Sequence, residues 1–192
     1  MESIILESLR ESTAVKEKTV RTSTDLIIRG ARMLAECMAS GHKVLIFGNG
    51  GSAADAQHIA AEFVNRFKIE RSPLAAIALT TDTSILTSIG NDYDFSLVFA
   101  KQIRALGKKH DIAWGISTSG NSKNVVEAIE AAKSLELITI GMTGSGGLLA
   151  DCADLVYTVP SEITAHIQET HITIAHMLCD LVDRILFPNE YK

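Results

Sequence analysis

VLIFGNGGSAADAQHIAAEFVNRF, residues 44–67, is the stretch from which the fold can be read. Its first half is an uninterrupted apolar run rich in β-branched and aromatic residues, the pattern of a strand buried on both faces. Asn49, Gly50 and Gly51 then break the run. Glycine there lets the backbone turn sharply and approach a ligand closely. The second half has the pattern of a helix: Ile59, Ala60, Ala61, Phe63 and Phe67 supply apolar surface, while His58, Glu62 and Arg66 recur at every fourth residue along one side. A plain glycine turn before an amphipathic helix would look much the same as a binding floor followed by reactive groups. The helix that carries the row starts directly at the turn, which favours the second reading.

The same strand–turn–helix rhythm extends in both directions. Apolar runs resembling the first recur as KVLIFG, LAAIALT, DIAWGIS, LITIGMTG and DLVYTVP, five expected strands. Helical patterns occupy about 52–67, 95–106, 122–135 and 147–152, and a last helix runs from about Thr164 to Phe187, before Pro188. Residues 2–40 form one or two further amphipathic helices, with Gly41 as the stop. Strands alternating with helices predict an α/β fold: a three-layer αβα sandwich around a five-stranded parallel sheet, with helical additions at both ends. No linker or repeat interrupts the chain. Residues 1–192 are therefore expected to be a single domain, with 1–40 as the helical segment and 41–192 as the α/β core.

Composition narrows the function. A net charge of −5 argues against general binding to nucleic acid or to an anionic membrane. No apolar run is long enough for a membrane span, and the N-terminus MESIILESLRESTAVKEK lacks the apolar core of a signal peptide. Cys37, Cys152 and Cys179 are an odd number without metal-finger spacing, as expected of reduced thiols in a cytoplasmic protein.

In parallel sheets ligands gather at the carboxyl ends of the strands. Four such ends are polar or glycine-rich here: GNGGSAAD (48–55), TTDTS (80–84), STSGNSKN (117–124) and TGSGG (143–147). In the third, the hydroxyls of Ser117, Thr118, Ser119 and Ser122 surround Gly120 where a helix begins. One serine suffices for a helix cap. Four hydroxyls beside free backbone N–H groups and the positive end of a helix dipole predict a phosphate site. The loop lacks the Lys-Ser/Thr ending of a nucleotide loop, and GNGGSAAD does not match GxGxxG, so no nucleotide is expected.

The terminal helix carries TAHIQETHITIAHMLCDLVD, largely apolar yet holding His166, Gln168, Glu169, His171 and His176. A core or interface histidine is the common explanation for any one of them. His176, set among Ile174, Ala175, Met177 and Leu178, is the strongest functional candidate. Gln168 and His176 lie about 12 Å apart along a straight helix, which suits flanking a ligand better than sharing one ion. Cys179, one turn on, is expected to pack in the core.

GNGGSAADAQHIAAEF, LTTDTSILTSIGNDYDF, GISTSGNSKNV and HIQETHITIAH resemble the phosphoheptose isomerases, members of the SIS (sugar isomerase) superfamily with a flavodoxin-like core. The resemblance runs through essentially the whole chain, in order. It implies conversion of D-sedoheptulose 7-phosphate to D-glycero-D-manno-heptose 7-phosphate, which feeds the heptoses of lipopolysaccharide and other glycans. It further implies Glu62 and His176 as the acid/base pair. Substrate contacts would fall on Asn49, Gly50, Gly51, Glu62, Asn91, Asp92, Ser117, Thr118, Ser119, Ser122 and Gln168. A zinc ion, one per subunit, would be held by His58, Glu62, Gln168 and His176, and the chain would assemble as a homotetramer around its terminal helices.

One position departs from the family pattern: His166 stands where Arg commonly precedes Ile-Gln-Glu. A close branch of the superfamily comprises non-catalytic regulators of the bacterial replication initiator. This chain shares an ending like theirs, CDLVDRILFP, but unlike them it has acid/base residues at 62 and 176. That favours the enzyme. The chemistry suits the residues, since moving a proton between C1 and C2 through a cis-enediol calls for a carboxylate over the carbons and a second carrier for the oxygens.

Overall fold

The computed structural model describes residues 1–191. It begins with α1 (Glu2–Ala39), then β1 (Val44–Gly48), α2 (Gly51–Val64), β2 (Ala76–Ala78) and α3 (Thr83–Asp92). A 3₁₀ turn, Phe95–Leu97, leads into α4 (Val98–Leu106). The chain continues through β3 (Ile112–Ser117), α5 (Lys123–Ser134), β4 (Ile138–Thr143), α6 (Leu148–Cys152), β5 (Leu155–Thr158) and α7 (Thr164–Leu186). The five strands form one parallel sheet in the order β2-β1-β3-β4-β5. The expected sandwich is present.

The apolar runs of the central strands β1 and β3 are continuous because each feeds two cores. Along β1, Val44 and Ile46 face one cluster with Ile59 and Phe63 of α2, Leu34 of α1 and Leu178 of α7. Leu45 and Phe47 point the opposite way, towards Phe99 and Ile103 of α4 and Ile129 of α5. The period of two in side-chain direction thus splits one run between two helical layers. The chain runs one way from β1 to β2 and the other from β3 to β5, so a crevice opens between the carboxyl ends of β1 and β3.

Several expectations are refined. The N-terminal segment is one helix of 38 residues, and Gly41 beyond it adopts φ +78°, the left-handed backbone that ends helices. LAAIALT yields only the three strand residues of β2, whose sole neighbour is β1, so half of its edge has no partner to extend it. Helix α3 is an addition to the expected elements: TTDTSILTSIGND looks like a loop at its start. Asp82 accepts a hydrogen bond from the Ile85 N–H at 2.9 Å and caps the helix there. Helix α2 ends at Val64, short of the expected Phe67. No helix among the described residues is long and apolar enough to cross a membrane.

Candidate active site

The crevice is floored by the glycine turn after β1. Gly50 has φ +54° and Gly51 opens α2. A Cβ on Gly51 would lie 2.5 Å from Gln168 Nε2, so the absent side chain is what lets α7 lay Gln168 across the start of α2. Asn49 and Asn124 exchange two side-chain hydrogen bonds, each 2.8 Å, joining the end of β1 to the first turn of α5.

Beside it the serine loop is folded on itself. Ser117 Oγ donates to Ser122 Oγ at 2.9 Å, and the Asn121 N–H donates to Ser119 Oγ at 3.1 Å. Ser122 occupies the N-cap position of α5 yet makes no side-chain cap bond. The N–H groups of the first turn are therefore not covered by that hydroxyl. Gly120, at φ +68°, sits against the loop after β4: a Cβ there would meet Gly146 O at 1.9 Å. A cavity of about 460 Å³ lies on this side, lined by Thr118, Ser119, Ser145, Ser161 and Thr164 among others. A second, of about 280 Å³, lies on the Asn49 and Ser122 side and includes Lys123 and Asp94.

The reactive groups converge between α2 and α7. His58 Nε2 is 2.9 Å from Glu62 Oε1 and 3.4 Å from His176 Nε2. One ligand atom from each of the three residues lies within 4.8 Å of the others, an arrangement able to hold a metal ion. The Phe67 ring lies at 30° to the His176 ring with centroids 5.3 Å apart, giving the imidazole an apolar wall. Burial pushes the His176 pKa below the usual histidine range, and the nearby His58 pushes it the same way. His176 is therefore neutral at neutral pH, able to accept a proton or a metal.

Residues 8–144 match the family model for the SIS domain. The chain is 54% identical over 187 residues to the phosphoheptose isomerase of Nitratidesulfovibrio vulgaris, spanning 97% of this chain and 90% of that protein. The chain belongs to the phosphoheptose isomerase family. Solved structures agree. A phosphoheptose isomerase from Francisella tularensis superposes with a TM-score of 0.91 at 42% identity, over 95% of this chain and 97% of that one. The phosphoheptose isomerase of Neisseria gonorrhoeae gives 0.90 at 44%, over 95% and 98%.

In this member of the phosphoheptose isomerase family, the fold brings some expected site residues together and leaves others apart. His58, Glu62 and His176 meet, and Gln168 lies at the glycine turn. Asn91 and Asp92 pair with each other at the exposed end of α3, the Asn91 amide donating to Asp92 Oδ1 at 2.8 Å. Arg66 does not continue the reactive row; it lies past the end of α2 and pairs with Glu70 at 3.6 Å, while Glu62 turns to His58. His166 is buried, 5% exposed. His171 is a core histidine whose Nε2 bonds Thr143 O at 3.1 Å.

Three residues near the site are not singled out by sequence reasoning. Asn124 belongs to the serine loop, but nothing there signals its pairing with Asn49. Asp55 lies three residues before His58, a spacing that could have flagged it; burial raises its pKa, against a smaller opposing effect of His58. Arg71 is a buried cation in the connection between α2 and β2, and nothing local in the sequence predicts that.

Proposed function

We propose that the chain interconverts D-sedoheptulose 7-phosphate and D-glycero-D-manno-heptose 7-phosphate, for the heptoses of lipopolysaccharide and related glycans. The observation that carries this reading is the meeting of Glu62 and His176 where α2 and α7 face each other, in a chain 54% identical to a phosphoheptose isomerase. In the proposed reaction Glu62 removes the C1 proton of the open-chain ketose, giving a cis-enediol, and, once its carboxyl proton has exchanged with solvent, delivers a proton to C2. His176, neutral, carries the proton exchanged between O1 and O2. Glu62 Oε1 is engaged by His58, which leaves Oε2 for the proton transfer.

The phosphate sits far from the reacting carbons and serves as a handle. Ser117, Thr118, Ser119 and Ser122, with the N–H groups opening α5, hold it, so remote binding energy orients C1 and C2. Asn49, Gly50, Gly51, Asn91, Asp92 and Gln168 complete the sugar contacts.

Two imidazoles and a carboxylate form a donor set that zinc accepts, and three ligand atoms within 4.8 Å of one another fit it. His58, Glu62 and His176 would hold the ion; Gln168, the fourth ligand that the family resemblance implies, lies against Gly51 and would have to swing from there to join them. Bound there, zinc would supply Lewis-acid polarisation of the sugar oxygens. A homotetramer is supported by apolar side chains left in water on α1: Ile4, Ile5 and Leu9 are 67%, 68% and 63% exposed. Three free cysteines are in keeping with the cytoplasm.

The test is incubation with sedoheptulose 7-phosphate in heavy water, followed by NMR. Heptose 7-phosphate carrying deuterium at C2 is expected. No conversion by the folded protein would reject the enzyme in favour of a non-catalytic regulator.

A further inference from the structure

The geometry points to Arg71 and Asp183 as a positioning pair that sets how α2 presents Glu62 to His176 on α7. It rests on the acid/base roles proposed above. Arg71 lies in the connection between α2 and β2, and its side chain is 1% exposed against 0% for Asp183. Its Nε donates to Asp183 Oδ1 at 2.9 Å. The rest of the guanidinium turns to the end of α2: one terminal nitrogen donates to Phe63 O at 2.7 Å, the other to Glu62 O at 2.8 Å. A longer bond of 3.2 Å reaches Asn65 O, the C-cap residue.

Those carbonyls belong to the last turn of α2, where backbone acceptors have no partner within the helix. A buried cation at that end also meets the negative pole of the helix dipole. Arg71 therefore ends α2 and fixes the peptide of Glu62 itself. Asp183 lies seven residues beyond His176, two helical turns along the same stripe of α7. Besides their apolar packing and the approach of Gln168 to Gly51, the two helices are thus joined by polar groups at two points, the Arg71–Asp183 pair and the His58–Glu62–His176 cluster. Two points fix rotation as well as separation, which one cannot do.

Stability alone gives a weak account of the pair. Buried ion pairs can often be replaced by apolar residues without loss, because desolvation offsets their attraction. Here Asp183 Oδ2 is buried with no hydrogen-bond partner. Burial also raises the Asp183 pKa despite the facing guanidinium.

The test compares Arg71→Met, Asp183→Leu, the double variant and Arg71→Lys, by thermal melting, isomerase kinetics and crystal structure. Each apolar single variant should melt well below wild type, since it strands a buried partner. The double variant should melt near wild type, yet its kcat should fall about 10²-fold through misplacement of Glu62. KM should change by less than about threefold, because the serine loop is untouched. Arg71→Lys keeps a charge for Asp183 but lacks the fork that spans the α2 carbonyls, so it should share the kcat loss even if the double variant fails to fold. In the crystal, the His58 and His176 Nε2 atoms should move beyond hydrogen-bond reach. Wild-type kcat in either the double variant or Arg71→Lys, or an unchanged His58–His176 separation, would overturn the inference. An inactive wild type would instead refute the proposed reaction and leave the crystal separation to decide the role of the pair.

Discussion

His176 Nε2 stands 3.4 Å from His58 Nε2, although the two residues lie 118 positions apart in the sequence. The same His58 nitrogen is 2.9 Å from Glu62 Oε1. A single hydrogen on His58 Nε2 cannot serve both neighbours in full, whereas a cation among the three atoms would satisfy all of them. This crowding would tie the proposed proton transfer and the proposed metal site to the same groups.

Replacing Glu62 with Gln keeps the shape and removes the base, so kcat should fall roughly 10²–10⁴-fold. His176→Gln should also lose activity. If the two act in one proton-transfer sequence, the double variant should be little worse than the more damaged single variant. Circular dichroism and light scattering should show both single variants folded and assembled as the wild type is. Wild-type turnover in Glu62→Gln would reject it as the base.

Zinc should bind once per chain, and more weakly as pH falls, because the imidazoles must be neutral to coordinate. Calorimetric titration of the metal-free protein measures this directly. His58→Ala should weaken binding at least about tenfold. Equal affinity in that variant would remove His58 from the ligand set.

Ser122→Ala should separate capping from phosphate binding. The hydroxyl makes no cap bond, so stability in thermal melting should fall only by what its bond from the Ser117 hydroxyl contributes, about 1 kcal/mol. Losing a hydrogen bond to a charged phosphate is worth about 1.5–3 kcal/mol, so KM should rise roughly 10- to 100-fold. An unchanged KM would take the serine loop out of the phosphate site.

Gly120→Ala should disturb the same loop from beneath. At φ +68° an alanine costs about 1–2 kcal/mol from backbone strain alone. Its Cβ would also lie 1.9 Å from the Gly146 carbonyl oxygen, which is backbone and cannot swing away. Lower stability and a raised KM are expected together, from melting and kinetics on one preparation; wild-type values for both would show that the two loops do not support each other.

His171 should make the fold acid-sensitive. Burial lowers its pKa from 6.5 to about 4, against a smaller opposing effect of its bond to the Thr143 carbonyl. The unfolded chain therefore takes up the proton first as pH falls. Stability is present in full above pH 6.5 and declines towards pH 4, by about 3 kcal/mol for this one group. Asp55 and Asp183, whose values burial raises, act in the opposite direction, so the comparison must be with a variant. His171→Gln retains an N–H for Thr143 and should flatten the decline in denaturant unfolding followed from pH 7 to 4. An identical slope would assign the acid response elsewhere.

The sequence by itself determined the sheet, because runs such as VLIFG and IAWGIS must be covered on both faces and only alternating helices can do that. It also marked the glycine turn and the serine loop, where local composition is the signal. Helix α3 was not visible, since its start depends on a single Asp82 cap within a run of turn-forming residues. The spacing of His58, Glu62 and Arg66 could not say which of them face α7; Arg66 falls past the helix end and turns to Glu70. Nor could it reveal Arg71 reaching the carbonyls of α2 and Asp183 of α7 at once. Periodicity records which face of an element is apolar. It holds no information on which distant elements share that face, and the convergence of α2 with α7 comes from both helices packing on one side of the same sheet.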